Sequence, residues 1–156
     1  MPFTITFRRA SILDANDLFR WKNDPIVRQF SIETKDEIKF DRHMTWMDWA
    51  LTNSQVRIYI IEADGTPCGD VRFEIHARYI EIAIKLDSRF RGSGIGAFAL
   101  KEIGDLVQTE FQRPLIAKIV YGNVASMRLF EGCGYRIIGS GEGYYVCSKV
   151  YTPTLK

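Results

Sequence analysis

The sequence predicts an α+β fold, with helices flanking a mixed, mostly antiparallel sheet. Three observations lead to this class. Segments that alternate apolar and polar residues, the period of a strand, occur together with segments whose apolar residues recur at helical spacing. Three strand-like segments in the middle of the chain follow one another with no helix between them. The 156 residues suffice for one hydrophobic core, so a single domain over residues 1–156 is expected.

The amino-terminal third is predicted to hold one strand followed by helices. Phe3–Arg9 alternates as a half-buried strand does. A helix capped near Ser11 or Asp14 follows, and it should end before Pro25, because the residue preceding a proline is disfavoured in a helix. Between Thr34 and Leu51 the apolar spacing predicts one or two further helices.

The middle of the chain predicts a β-hairpin and a third strand. The hairpin strands are Val56–Glu62 and Cys68–His76, and an Asp64-Gly65 pair between them favours a tight turn. Tyr79–Leu86 alternates strongly and gives the third strand. The elements expected after it are a helix over Ala97–Phe111 stopped by Pro114, a strand over Leu115–Tyr121 buried on both faces, a helix over Val124–Gly132, and strands over Tyr135–Ile138 and Tyr144–Tyr151.

Composition excludes several functional classes. A net charge of +2 is compatible with an anionic ligand but falls well short of a nucleic-acid-binding surface. The three cysteines and two histidines are too widely spaced for a disulfide framework or a zinc site, so no metal is expected. No apolar run approaches the roughly 18 residues that span a bilayer, and no leader peptide is recognised, which predicts a cytoplasmic protein without a membrane partner.

A glycine-rich loop, Leu86–Ala97, leads from a strand into the long helix. The first amides of a helix lack intrahelical partners and carry partial positive charge, so this position can receive an anion. Arg89 and Arg91 add guanidinium groups, which pair well with phosphate. We therefore expect a pyrophosphate ligand, although a loop that merely joins strand to helix is the simpler alternative. A Rossmann fingerprint and a P-loop are both disfavoured by the position and residues of the motif.

Two motifs of the chain resemble those of the GNAT superfamily of N-acetyltransferases. Arg91, Gly94 and Gly96 match its Q/R-x-x-G-x-G/A motif, and Asn123–Tyr135 is similar to its second signature, NxxSxxxYxxxGF. The resemblance covers nearly the whole chain and implies acetyl-CoA as cofactor. It implies that the backbone at Leu86 and Asp87 holds the pantetheine arm. The other implied cofactor contacts are the amides of Arg91, Gly92, Ser93, Gly94, Ile95, Gly96 and Ala97 for the pyrophosphate, then Asn123 and Ser126, and the position of Phe130.

Phe130 occupies a position at which many relatives have a tyrosine that protonates the departing thiolate. Phenylalanine has no hydroxyl, so core packing is the favoured interpretation of Phe130. The general base must free the amine of a proton, because ordinary ammonium groups titrate well above neutrality. Glu81 is the first candidate, since its placement is similar to that of the base in some family members. Glu74 and His76 follow, then His43, and the alternative for Glu81 is a strand residue paired with a neighbouring lysine or arginine.

The segment Phe19–Arg28, followed by a His43-x-x-Trp46 pair, resembles acetyltransferases of nucleotide-linked amino sugars in the pseudaminic-acid pathway. Similar patterns occur in transferases acting on ribosomal-protein amino termini and on other small amines. The residues implied in acceptor binding are Trp21, Asn23, Arg28, His43 and Trp46. The alternatives are that the tryptophans are core anchors and that Asn23 terminates a helix. An acceptor such as an antibiotic or polyamine, a sensor that binds acetyl-CoA without turnover, and a homodimer all remain open.

Overall fold

The computed structural model describes residues 2–33 and 35–153 and confirms the predicted fold class. Short 3-10 turns occupy Ile12–Asp14 and Ser88–Phe90. The regular elements are β1 (Ile5–Arg9), α1 (Ala15–Lys22), α2 (Pro25–Gln29), α3 (Phe40–Thr52), β2 (Val56–Ala63), β3 (Thr66–Ile75), β4 (Ile80–Leu86), α4 (Ile95–Phe111), β5 (Leu115–Val120), α5 (Val124–Gly132), β6 (Arg136–Gly141) and β7 (Tyr144–Lys149).

All the strands join one sheet in the order β1-β2-β3-β4-β5-β7-β6. Every neighbouring pair is antiparallel except β4 and β5, which are parallel because α4 carries the chain back between them. The expected hairpin turns at Asp64 and Gly65, both of which have positive φ. β4 and β5 are the one parallel pair among the described residues, and the candidate active site lies there.

The helical segment after β1 follows the predicted capping. Ser11 and Asp14 form a capping box, and α1 ends at Lys22, before Pro25. Pro25 also opens α2, which the sequence analysis does not anticipate, because proline is favoured at a first helical position and Asp24 caps the helix by accepting from the Ile26 amide. The predicted helical stretch from Thr34 onward contains α3, while Thr34 itself lies outside the described residues.

The two faces of the sheet are covered differently. Alternate residues of β2 reach opposite sides, with Ile58 and Ile60 packed with α1 and α3, and Ile61 in the larger core that α4 and α5 cover. The expectation that β5 is buried on both faces is wrong, because Lys118 on its outer face is exposed. The helices α1 and α3 therefore leave part of the sheet open on the side of β4 and β5. No helix in the described ranges is long and apolar enough to cross a membrane.

Candidate active site

A wedge opens between the two parallel strands. β4 and β5 pair only at Ile80↔Leu115 and Glu81↔Ile116, although β4 continues to Leu86 and both strands lie wholly within the described chain. Beyond Glu81 the facing backbone edges have no partner strand. Unpaired strand edges bind extended ligands through main-chain hydrogen bonds. The wedge is thus a slot for an extended chain that carries amide groups.

The loop at the wide end of the wedge presents the first amides of α4. Gly92 and Gly94 adopt positive φ values of 74° and 85°, and Gly94 precedes the helix without a capping side chain. The Phe98 amide donates to the Gly94 carbonyl at 3.2 Å, so the amides before it lie at the uncapped end of the helix. This arrangement suits an anion, as the sequence predicts. Ser93 donates its hydroxyl to the Phe90 carbonyl at 2.5 Å, which closes the loop.

Both arginines of the loop are engaged within the protein. Arg89 contacts the Asp87 carboxylate through Nε and Nη2, each at 3.0 Å. Arg91 Nη2 lies 3.1 Å from the Leu86 carbonyl and 3.2 Å from Asp24 Oδ1. The sequence analysis expects both guanidinium groups beside the pyrophosphate, but these contacts direct them to acceptors of the protein itself. The helix amides are therefore the principal groups left for an anion.

Asp87 joins this loop to α1. Its buried carboxylate accepts from Arg20 Nη1 at 2.6 Å, from the Trp21 indole at 3.1 Å, and from the Arg89 backbone and side chain. The hydrogen bonds from Arg89, followed by those from Arg20 and Trp21, outweigh burial and hold the pKa of Asp87 well below its usual range. The Asp87 amide donates to the Cys68 carbonyl, so this part of the backbone is tied to β3.

We expect Asp87→Ala to lower the free energy of unfolding by about 1–3 kcal/mol at pH 7, because the buried Trp21 indole loses its acceptor. The folded pKa of Asp87 is depressed, so its contribution is complete above the unfolded pKa of about 4 and declines as pH falls below that value. Urea denaturation at pH 7 and pH 3 measures this. Asp17→Ala, which removes a more exposed partner of Arg20, is the control and should change little.

The second motif caps α5 and lines a groove beside the wedge. Asn123 Oδ1 accepts from the Ser126 amide at 3.2 Å, which leaves the side-chain NH2 of Asn123 without an acceptor in the described chain. A groove of about 270 Å³ lies here, lined by Val120, Gly122, Asn123, Val124, Met127, Arg128 and Tyr145. Phe130 is buried in the core, where it makes an edge-to-face contact with Tyr135. Core packing of Phe130 is what the sequence analysis favours.

The candidate bases on the strands come together at the narrow end of the wedge. Glu74 and Glu81 are register partners on β3 and β4. A carboxylate oxygen of Glu74, an imidazole nitrogen of His76 and a carboxylate oxygen of Glu81 all lie within 4.8 Å of one another. A metal ion could also bind at this spacing. Lys118 Nζ lies 3.2 Å from Glu81 Oε1, and although burial opposes it, the Glu81 carboxylate raises the pKa of Lys118. Glu81 is therefore half-buried and ion-paired, and it belongs to the last residue pair before the wedge opens.

His43 lies elsewhere, fully buried in α3. Its Nε2 donates to the Ala15 carbonyl at 2.9 Å, and its Nδ1 has no hydrogen-bond partner in the described chain. Burial lowers the pKa of His43, so its ring is neutral at pH 7. The ring packs against Phe19, Phe40 and Trp46. His43 therefore belongs to the packing between α1 and α3 and is not part of the carboxylate cluster.

Most of the residues that the resemblance implies in acceptor binding make contacts within the protein. Trp21 is buried with its indole on Asp87. Asn23 bridges the amide and carbonyl of Ile38 at 2.8 Å each, and Arg28 Nε donates to the Asn23 carbonyl at 3.1 Å. Trp46 is the one aromatic ring of this set that is half-buried, and two cations contact it. Trp49, one turn further along α3, is 48% exposed.

The sequence did not reveal the charged groups around Trp46, whereas the alternative that Glu81 pairs with a neighbouring lysine or arginine is confirmed by its contact with Lys118. The Lys22 ammonium lies 3.4 Å from the centroid of the Trp46 ring, and Lys85 pairs with the buried Asp70. The alternation of apolar and polar residues in β3 and β4 did contain a signal for the charged groups. Val71 and Phe73 point to the core that α4 covers, so the polar residues between and beside them must share the opposite face.

Comparison with known proteins identifies the family that has this fold. A family model described as an acetyltransferase (GNAT) domain matches residues 4–136. The chain belongs to the GNAT acetyltransferase family, in which acetyl-CoA is the usual co-substrate. An uncharacterized protein of Methanocaldococcus jannaschii, MJ1062, is 23% identical over 143 residues, covering 88% of this chain and 29% of that protein. The chain thus spans less than a third of the length of the curated relative it matches.

Solved structures share the fold at low sequence identity. A domain from Methanocaldococcus jannaschii superposes with a TM-score of 0.85 at 21% identity, covering 94% of this chain and 98% of that one. Spermidine N-acetyltransferase from Vibrio cholerae, in complex with CoA and spermine, gives 0.79 at 16% identity and 92% of each chain. The Campylobacter jejuni N-acetyltransferase PseH gives 0.73 at 15% identity, covering 95% and 99%.

Proposed function

We propose that this domain transfers an acetyl group from acetyl-CoA to the primary amine of a small molecule. The observation that carries the proposal is the position of Glu81 in the last residue pair of β4 and β5, where the wedge opens. From there to Leu86 the strand spans about 17 Å at about 3.3 Å per residue. An extended pantetheine arm has a length of this order. A cofactor whose pyrophosphate rests on the α4 amides would then bring its thioester close to Glu81.

The residues present fit acetyl-CoA on two structural grounds. The unpaired edges of β4 and β5 can hydrogen-bond the amides of the pantetheine arm, and the uncapped start of α4 can hold the pyrophosphate. When bound, the cofactor supplies an activated acetyl thioester. Asn123 has a free NH2 group beside the same slot, which supports its assignment as a further cofactor contact. Leu86 and Asp87 would contribute through their position on the edge of the slot.

Glu81 is proposed to take the proton that the acceptor ammonium must lose before it can attack, either directly or through a water molecule. Glu74 lies directly across the strand pair and helps to attract the ammonium, while Lys118 forms an ion pair with Glu81 and holds its side chain in place. Phe130 has no proton to give, so the departing thiolate takes a proton from solvent. Glu81 is thus proposed as the general base and Glu74 as a positioning residue.

For the acceptor we propose the amino group of a nucleotide-linked amino sugar. Two observations support this choice: the resemblance of residues 19–28 to transferases of such sugars, and the structural similarity to PseH. A polyamine, as in the complex of the spermidine enzyme, and a peptide amino terminus are the competing acceptors. The surface that would receive any of them is the open face of β3 and β4.

The test is thiol release from acetyl-CoA with a panel of amines: nucleotide-linked and simple amino sugars, polyamines, aminoglycosides and short peptides. We expect amine-dependent thiol release with at least one amino sugar, and mass spectrometry should find the product heavier by one acetyl group. Binding of CoA without thiol release from any amine would instead identify a sensor. Preferred use of polyamines or peptides would move the acceptor assignment to that class.

A further inference from the structure

The open face of β3 and β4 carries charges in ordered rows. In the antiparallel register Glu74 pairs with Glu81, Arg72 with Ala83, and Asp70 with Lys85. Rows on one face of a strand pair repeat every two residues, or about 7 Å. The negative row at the narrow end of the wedge is therefore followed by rows that contain two cations and one anion. Ala83, the smallest side chain in the rows, leaves space between them.

Lys22, the last residue of α1, brings a third cation to this end of the face. Its Nζ lies 3.4 Å from the centre of the Trp46 ring, and no carboxylate in the described ranges lies within 4 Å of it. Burial, followed by the fields of Lys85 and Arg72, lowers the pKa of Lys22 to about 7. A half-buried ammonium whose nearest neighbour is an aromatic ring lacks the anion that such a group requires.

The neighbouring groups do not supply that anion. Arg72 contacts the same Trp46 ring at 5.7 Å, and its Nε is 3.9 Å from Glu74, too long for a hydrogen bond. Lys85 Nζ lies 3.3 Å from Asp70 Oδ2, whereas Asp70 Oδ1 is buried with no hydrogen-bond partner in the described chain. Around Trp46 three cations thus face the buried Asp70 carboxylate, with Glu74 at 3.9 Å from Arg72 alone and Glu33 acting on Lys22 only through its more distant field.

We propose that Lys22 and Arg72, beside Trp46, bind an anionic group of the acceptor, a carboxylate or a phosphate. This rests on the proposed function, because it assigns the opposite end of the same molecule to Glu81. The acceptor then lies across the Ala83 row, with its amine at the negative row and its anion at the cationic end. A polyamine would meet Lys22 and Arg72 with like charge, so this arrangement selects against polycations.

The experiment compares matched acceptors that differ by one anionic group. Glucosamine 6-phosphate is compared with glucosamine, and β-alanine with propylamine, by thiol release at saturating acetyl-CoA. We expect kcat/KM to favour the anionic member by about tenfold or more in at least one pair, the value of one charge-assisted hydrogen bond. A preference in the glucosamine pair would indicate a phosphate, and a preference in the β-alanine pair would indicate a carboxylate.

Lys22→Met and Arg72→Met should each reduce this preference by about tenfold, whereas Lys101→Met, which removes an exposed lysine on α4, should retain it. Lys22→Met should not lower Tm, because it removes an unpaired half-buried cation. Equal use of both members of each pair by the unsubstituted protein, or a preference that survives both substitutions, overturns the proposal.

A direct binding measurement separates this proposal from the catalytic one. Inorganic phosphate is titrated by calorimetry into the CoA-loaded protein, in which the α4 amides are already occupied. Binding that Lys22→Met abolishes supports the anion site even if no tested amine is acetylated, in which case the proposed function alone fails. Conversely, thiol release with an amine, together with phosphate binding that is absent or unaffected by Lys22→Met, leaves the proposed function standing and rejects the anion site.

Discussion

Glu81→Gln is expected to lower kcat for amine acetylation by about 10²- to 10⁴-fold, the usual contribution of a positioned general base. Glutamine has nearly the same shape as glutamate but cannot accept the proton of the ammonium at neutral pH. The Kd for CoA should not change, because the slot is formed by backbone edges and helix amides. Stopped-flow thiol release and calorimetry with CoA measure the two quantities separately.

The matched control for this variant is Glu102→Gln, which makes the same substitution on the exposed side of α4. It should leave both kcat and the Kd for CoA unchanged. The pH–rate profile of Glu81→Gln should differ from that of the unsubstituted protein, because without the base only acceptor amine that is already deprotonated can attack, so activity should rise as pH approaches the pKa of that amine. An unaltered profile would assign the base to another group, and Glu74, its neighbour across the strands, would be the first to examine.

Gly94→Asp is expected to weaken CoA binding by about fivefold to several hundredfold. Two like charges about 4 Å apart repel by about 1–4 kcal/mol between water and a protein surface, and the new carboxylate would face the pyrophosphate. A side chain at this position meets nothing within 4 Å, so the effect is not one of crowding. Calorimetry with CoA measures the change. Gly96 is less suitable, because a Cβ there would lie 3.4 Å from Leu86 and Leu129.

Gly94→Asn is the control, since asparagine has the shape of aspartate without its charge. Both variants carry the same backbone strain at a φ of 85°, and both residue types tolerate left-handed geometry better than other side chains do. The ratio of their dissociation constants therefore isolates electrostatics. Equal CoA affinity of the Asp and Asn variants would mean that the pyrophosphate does not rest on this loop.

The order of strands and long helices was predictable from periodicity, because each of these elements buries one face against a core. The position of the glycine-rich loop between a strand and a helix was predictable, because the glycines follow an alternating segment and precede a segment with helical spacing; its binding of an anion stays a prediction. The short α2 was not, since Pro25 signals both the end of one helix and the start of another. β5 was misjudged because a run of apolar residues does not show that Lys118 lies on an uncovered face.

Contacts that depend on strand register or on helix packing could not be predicted from the sequence. Glu74 and Glu81 were both candidates, but that they face each other follows from the strand register. The contact of Lys22 with Trp46 requires knowing how α1 crosses α3. Arg89 and Arg91 were both predicted to lie beside the pyrophosphate. Arg89 pairs with Asp87, only two residues away, whereas the contact of Arg91 with Asp24 depends on the three-dimensional fold.

The sheet consists of two blades, β1–β4 and β5–β7, hinged at only two residue pairs. Behind the sheet, α4 packs closely at Gly96, where a Cβ would lie 3.4 Å both from Leu86 of the first blade and from Leu129 of the helix that backs the second. A larger side chain at any of these three positions would push the blades apart without touching a backbone edge of the slot. We therefore expect the width of the slot to depend on the volume of these apolar side chains behind the sheet as well as on the strand edges themselves.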